Sequence, residues 1–214
     1  MKIFGIDFSK KKQLQFNITE KDKEWVINCL LSLVSKYGDS YLNHSFDLTN
    51  FNSNIGVDSV FQNLLSCFKI EYIKYKIEEI SLIQSTSSIP YEIEGEVFET
   101  SLVKDEDVYI IFIEKNVLKD SQYTLSKLIL IAVEIYLIET AFDYGKDEEG
   151  RLFIYIASIF FGFGKEVANE LYNIGRNSED FMETQWTRIA IIPANVFAFA
   201  LATYSIYFIS TLTD

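Results

Sequence analysis

Residues 131–139 read I-A-V-E-I-Y-L-I-E inside an apolar stretch whose spacing predicts a helix over about 124–142. Glu134 interrupts that stretch, and it limits how the chain can pack. A carboxylate on an otherwise apolar helix has to be solvated, paired, or protonated with a raised pKa. The reading favoured here is structural: Glu134 accepts a hydrogen bond from Tyr155 or another phenol. The material for a core to hold such a helix is present, since 49% of the 214 residues are hydrophobic and 18 are Phe.

Local signals place most of the other elements. Thr19 can cap a helix over 19–37, with Glu20 and Asp22 suiting its first turn and Gly38 stopping it. Trp25, Val26, Cys29, Leu30 and Leu33 recur at helical spacing and form its expected buried stripe. An Asn-rich stretch over 41–56 reads as a loop, and a second helix begins near Asp58. Ile73, Tyr75, Ile77, Ile80 and Leu82 then alternate roughly by two, as in a half-buried strand. A second strand region is expected over 91–103. A third, over 108–113, is apolar almost throughout, the pattern of a strand buried on both faces. Helices are expected over 124–142, 148–174 and 193–210, with Pro193 in the first turn of the last. Helices flanking a small antiparallel or mixed sheet define an α+β protein.

The charge balance is 19 basic against 31 acidic residues, a formal net charge of −12. Such a surface repels nucleic acid and favours basic partners through long-range attraction. The acidity is partly ordered. Glu92, Glu94 and Glu96 alternate with Ile93, Gly95 and Val97, so a strand there would put three like charges on one face. Glu99 and the run Asp105, Glu106, Asp107 continue the negative density, and Asp147 to Glu149 form a further cluster suited to a helix start. A cationic partner would relieve the repulsion along 92–107.

Cys29 and Cys67 have neither C-x-x-C spacing nor histidine companions, which points to buried reduced thiols. The N-terminal residues lack an apolar run of signal-peptide length, so a cytoplasmic protein is expected. Residues 189–210 carry no formal charge and are long enough to span a bilayer. Pro193, Asn195, Thr203 and Ser205 within them favour a long apolar C-terminal helix in a core or a dimer interface. His44 is the one histidine, in the Asn-rich loop. No Ser-His-Asp arrangement, nucleophile elbow or phosphate loop stands out. Gly162 and Gly164 read instead as small residues that admit a neighbouring helix.

Around Glu134 the spacing is that of the H-E-x-x-H frame, with Val133 and Leu137 one turn apart where two histidines would stand. Further short motifs follow in order. They are a strand over 108–114, an acidic loop over 147–149, F-F-G-F-G from Phe160 to Gly164, Ala168-Asn169, Ile192-Pro193 and F-A-F-A-L-A over 197–202. In this order the chain resembles a family of bacterial zincin-like metallopeptidase-type domains. The resemblance implies a single zincin-like domain over 1–214, with a helical N-terminal part (1–70), a β-rich part (71–115) and a helical core (120–214).

It also implies what has been lost. A zincin needs two imidazoles, a third ligand from a neighbouring helix and a glutamate that activates the zinc-bound water. Those three ligand positions correspond to Val133, Leu137 and Tyr155, leaving Glu134 as a vestigial general base. The expectation is therefore a protein without a cofactor or metal that does not catalyse. It would be an acidic binding protein, such as an immunity or inhibitor protein neutralising a basic toxin or effector through Glu92, Glu94, Glu96, Glu99, Asp105, Glu106 and Asp107. The alternatives are a metal-dependent hydrolase with a non-standard carboxylate site, and a membrane-attached or self-associating protein, for instance a homodimer.

Overall fold

The computed structural model describes residues 2–3, 6–7, 17–38, 56–80, 100–115, 117–145, 147–177 and 192–211. Among them are five strands: β1 (Lys2–Ile3), β2 (Ile6–Asp7), β3 (Lys74–Ile80), β4 (Thr100–Asp105) and β5 (Val108–Glu114). Six α-helices accompany them: α1 (Glu20–Tyr37), α2 (Val57–Cys67), α3 (Ser121–Glu139), α4 (Glu148–Phe160), α5 (Gly164–Asn177) and α6 (Ala194–Thr211). The architecture is α+β, as the sequence predicts.

Helix α1 begins where its side chains say it should. The Thr19 hydroxyl accepts from the Asp22 amide at 3.1 Å while the Asp22 carboxylate accepts from the Thr19 amide at 3.3 Å. This reciprocal box satisfies two of the donors that a helix start leaves bare. Gly38, at φ +71, closes the other end. Val26, Cys29, Leu30 and Leu33 are buried and Trp25 is half-buried.

Strand β5 lies at the centre of a three-stranded sheet, parallel to β3 and antiparallel to β4. Every residue from Tyr109 to Glu114 is buried, which accounts for the near-continuous apolar run. Tyr109, Ile111 and Ile113 join the main core, into which Tyr75, Ile77 and Leu102 of the flanking strands also pack. β4 and β5 form a hairpin closed by the Asp105–Val108 pair, and Glu106 in its two-residue turn has φ +50.

Helix α3 is buried over most of its length, packing on α2, α4 and α5. Asp120 caps it by accepting from the amides of Gln122 and Tyr123. Aromatic rings tie its second half to the helices around it: Tyr136 lies 4.8 Å from Phe68 and 5.3 Å from Phe161, centroid to centroid. Among the described residues α3 is the helix long and apolar enough to cross a membrane, and most of it is buried inside the fold. At the C-terminus α6 runs from Ala194 to Thr211 without a charged residue and packs on α1, α4 and α5.

The helix expected over 148–174 is two helices. After Phe160 the chain turns through Phe161, Gly162 and Phe163. The Gly162 amide bonds the Ile159 carbonyl at 3.0 Å and the Phe163 amide the Ser158 carbonyl at 2.9 Å. With Gly162 at φ +92 this is a Schellman termination. Gly162 is therefore a stop signal, where its small size in an apolar run suggests a residue that admits a neighbouring helix. Gly164 does have the packing role: a side chain there would press on Leu201 of α6 and Ile159 of α4.

Candidate functional site

Two carboxylates on the C-terminal half of α3 meet two phenols and one ammonium. Helix α3 runs back along the sheet, so its last residue, Glu139, lies by Tyr109 near the start of β5. The Tyr109 hydroxyl donates to Glu139 Oε1 at 2.6 Å, and Lys104 Nζ donates to the same oxygen at 2.9 Å. Lys104 and Tyr109 are cross-strand partners in the β4–β5 hairpin, and the ammonium also lies 4.8 Å from the Tyr109 ring centroid. These donors hold the Glu139 carboxyl below the ordinary carboxylate range, the Tyr109 hydrogen bond most of all. Lys104 rises to about 12 through its bonds to Glu139 and Tyr109. Burial, followed by the bond to Glu139, pushes the Tyr109 phenol to about 12.

Glu134 has a poorer environment. It is half-buried, and Tyr144 donates to its Oε1 at 3.2 Å. Burial pushes its carboxyl above the ordinary range, and the Tyr144 bond opposes that only in part. The Tyr144 phenol is itself raised, by burial first and then by the charge of Glu134. The structural expectation for Glu134 thus has the right chemistry with a different phenol.

Glycines position Tyr144. It lies in the linker between α3 and α4, where Gly145 at φ +80 turns the chain. The linker backbone then crosses directly over Gly150 in the first turn of α4, so that a side chain at Gly150 would collide with the Gly145 carbonyl. Asp147 caps α4 by accepting from the Gly150 amide at 3.0 Å. No spacing rule in the sequence points to this crossing.

The inferred ligand positions are core residues. Val133 and Leu137 are fully buried, and Tyr155 is buried with its ring edge-on to Phe197 of α6 at 6.5 Å. Among the described residues no group of three or more His, Cys, Asp or Glu side chains is placed to hold a metal ion. Asp105, Glu106 and Asp107 are all exposed at the tip of the β4–β5 hairpin. Glu92, Glu94, Glu96, Glu99 and His44 lie outside the described residues. A shallow concavity of about 390 Å³ between α2 and β3 is lined by Asp58, Ser59, Gln62, Asn63 and Tyr75, none of which the sequence marks as a candidate site residue. No protein-family model, curated protein or solved structure matches the chain.

The arrangement can do limited chemistry. The Glu139 carboxylate is engaged by a cation and a phenol, and Glu134 lies against a phenol. What the site does well is fasten the hairpin, the end of α3 and the α3–α4 linker to one another.

Proposed function

We propose that this chain is a non-catalytic acidic binding protein on a degenerate zincin-like fold, acting as an immunity or inhibitor protein against a basic toxin or effector. The observation that carries this reading is the β4–β5 hairpin tip. It exposes Asp105, Glu106 and Asp107 together on a hairpin that Lys104 and Tyr109 fasten to Glu139. A fixed cluster of carboxylates on a chain of net charge −12 steers a basic protein by long-range attraction and gives it an oriented landing point. Apolar packing at Val133 and Leu137 supports the absence of inherited zinc catalysis, because neither side chain offers a lone pair.

The test is binding to basic proteins encoded beside this one, measured by calorimetry at low and high salt. The reading expects a complex that weakens with salt, and at least about tenfold weaker binding for the D105K/E106K/D107K variant. Unchanged affinity in that variant, or no complex with any such protein, removes the reading. Zinc at one ion per chain in protein purified without an affinity tag would restore a metal-dependent hydrolase in its place.

A further inference from the structure

We propose that the Glu134–Tyr144 contact is a latch that holds the α3–α4 linker against α3 and loosens when Glu134 ionises. Tyr144 is the one hydrogen-bond partner of Glu134 among the described residues, through Oε1 at 3.2 Å, and no lysine or arginine there forms an ion pair with Glu134. Glu139, one and a half turns along the same helix, has both a phenol and an ammonium on a single oxygen. The charge on Glu139 is therefore compensated, whereas Glu134 is left with one neutral donor.

Among the described residues no other charged group near α3 bonds Glu134, and Lys127 of α3 itself is buried with its ammonium 4.9 Å from the Tyr123 ring centroid. Lys104 of β4 and Tyr109 of β5 are bonded to Glu139. Asp147 caps α4, whose Glu148, Glu149 and Arg151 are exposed. On α5, Lys165 is exposed and Glu166 half-buried, and Asp58 of α2 is exposed. Among the described residues only Tyr144 hydrogen-bonds Glu134, with the Tyr109 phenol close enough to influence Tyr144 in turn.

Two opposed effects decide the sign. A phenol bonds a carboxylate more strongly than a neutral acid, which favours the ion. Withdrawal from water without a cation disfavours it. Burial is the larger of the two at Glu134. When the linker lifts, Tyr144 departs and water reaches the carboxylate, so the ion gains more from opening than the acid does. Opening therefore becomes easier as pH rises above the ordinary carboxylate value of 4.5, and levels off once the closed form is ionised. The linker is suited to such movement, since Gly145 supplies a turn at positive φ and the crossing over Gly150 has no side chain to lock it.

Hydrogen exchange of the amides over residues 140–145, in the full chain from pH 5 to 8, tests this. Each wild-type rate is divided by that of Glu134→Gln at the same pH, which cancels the intrinsic pH dependence of exchange. Glutamine keeps the acceptor and removes the charge. The expected ratio rises about threefold or more across the range. Tyr144→Phe is expected to exchange faster than wild type at every pH, because it has no latch to lose. A flat wild-type ratio overturns the proposal, and so does a Tyr144→Phe protein as protected as wild type.

Discussion

The Tyr109 hydroxyl donates to the Glu139 carboxylate at 2.6 Å, tying the start of β5 to the last residue of α3. Lys104 shares the same oxygen, but its side chain is 45% exposed, whereas Tyr109 is buried. Solvent exposure separates the two contributions. A buried phenol bonded to a carboxylate contributes about 1.5–3 kcal/mol, and an exposed ion pair about 0–1 kcal/mol. Tyr109→Phe should therefore lower urea stability clearly more than Lys104→Met. Equal losses would mean that the ammonium fastens the hairpin as firmly as the phenol does.

The two α3 carboxylates should respond to pH with opposite signs. Glu139 has a lowered folded pKa, so its stabilisation is present above the ordinary carboxylate value and is lost as pH falls through the folded value. Glu134 has a raised folded pKa, so its contribution is full below the ordinary value and is lost as pH rises through the folded one. Melting temperatures at pH 4 and pH 7 test both. Glu134→Gln should gain on wild type between pH 4 and pH 7, and Glu139→Gln should fall behind over the same interval. A shift of the same sign in both variants would contradict these two environments.

Three helices end in the same hydrogen-bond pattern with different residues at the left-handed position. Gly162 stands there after α4, but Lys69 after α2 and Ala141 after α3 adopt φ +58 and +50. The Ala141 amide bonds the Ile138 carbonyl and the Phe142 amide the Leu137 carbonyl, as Gly162 and Phe163 do after α4. A side chain at such a position costs roughly 1–2 kcal/mol. Ala141→Gly should accordingly stabilise by about 0.5–1 kcal/mol after the extra chain entropy of glycine is deducted, and Gly162→Ala should destabilise by about 1–2 kcal/mol. Chemical denaturation of both variants tests the assignment, which fails if Ala141→Gly is the weaker protein.

How far the sequence could be read follows from the range of each interaction. The ends of α1 were legible because Thr19, Asp22 and Gly38 act within one turn of the residues they cap. The burial of β5 was legible because no strand exposed on one face tolerates an apolar run like Tyr109–Ile113. The break between α4 and α5 was hidden because Phe160, Phe161 and Phe163 continue the apolar pattern straight through the stop at Gly162. At the site, Glu134 was found from a helical spacing, whereas Val133 and Leu137, picked out by the same spacing, are core residues. Tyr144, Lys104 and Tyr109 were missed because their contacts depend on how a hairpin and a linker close over α3. For the linker, the one local signal was a pair of glycines, Gly145 and Gly150, whose meaning appears only once the backbone crossing is seen.

Neither thiol should react readily. Burial pushes Cys29 up to about 12, with the charge of Glu149 adding to it, and burial also raises the half-buried Cys67. The thiolate is the reactive form, so both residues are mostly protonated and inert near neutral pH. Labelling of native protein with a thiol reagent at pH 7.5 should be slow at both positions and fast after unfolding in urea. Rapid labelling of Cys29 in the native protein would show that α1 opens locally.

Gly150 and Gly164 both face other parts of the chain, yet replacing them should have unequal effects. A methyl group at Gly164 would meet the end of the Leu201 side chain at 2.8 Å and the Ile159 side chain at 3.3 Å. Leu201 can rotate away, at a cost typical of modest overpacking, about 1–3 kcal/mol. At Gly150 the obstacle is the carbonyl group of Gly145 and, at 3.0 Å, the carbonyl oxygen of Tyr144. Backbone cannot rotate aside, so the whole linker has to lift, and Tyr144 is drawn off Glu134. Gly150→Ala should therefore be the less stable variant, and it should also lose the protection of the linker amides that Gly164→Ala keeps. Pairing denaturation with hydrogen exchange separates the two effects. If Gly150→Ala keeps wild-type exchange over residues 140–145, the crossing does not position Tyr144.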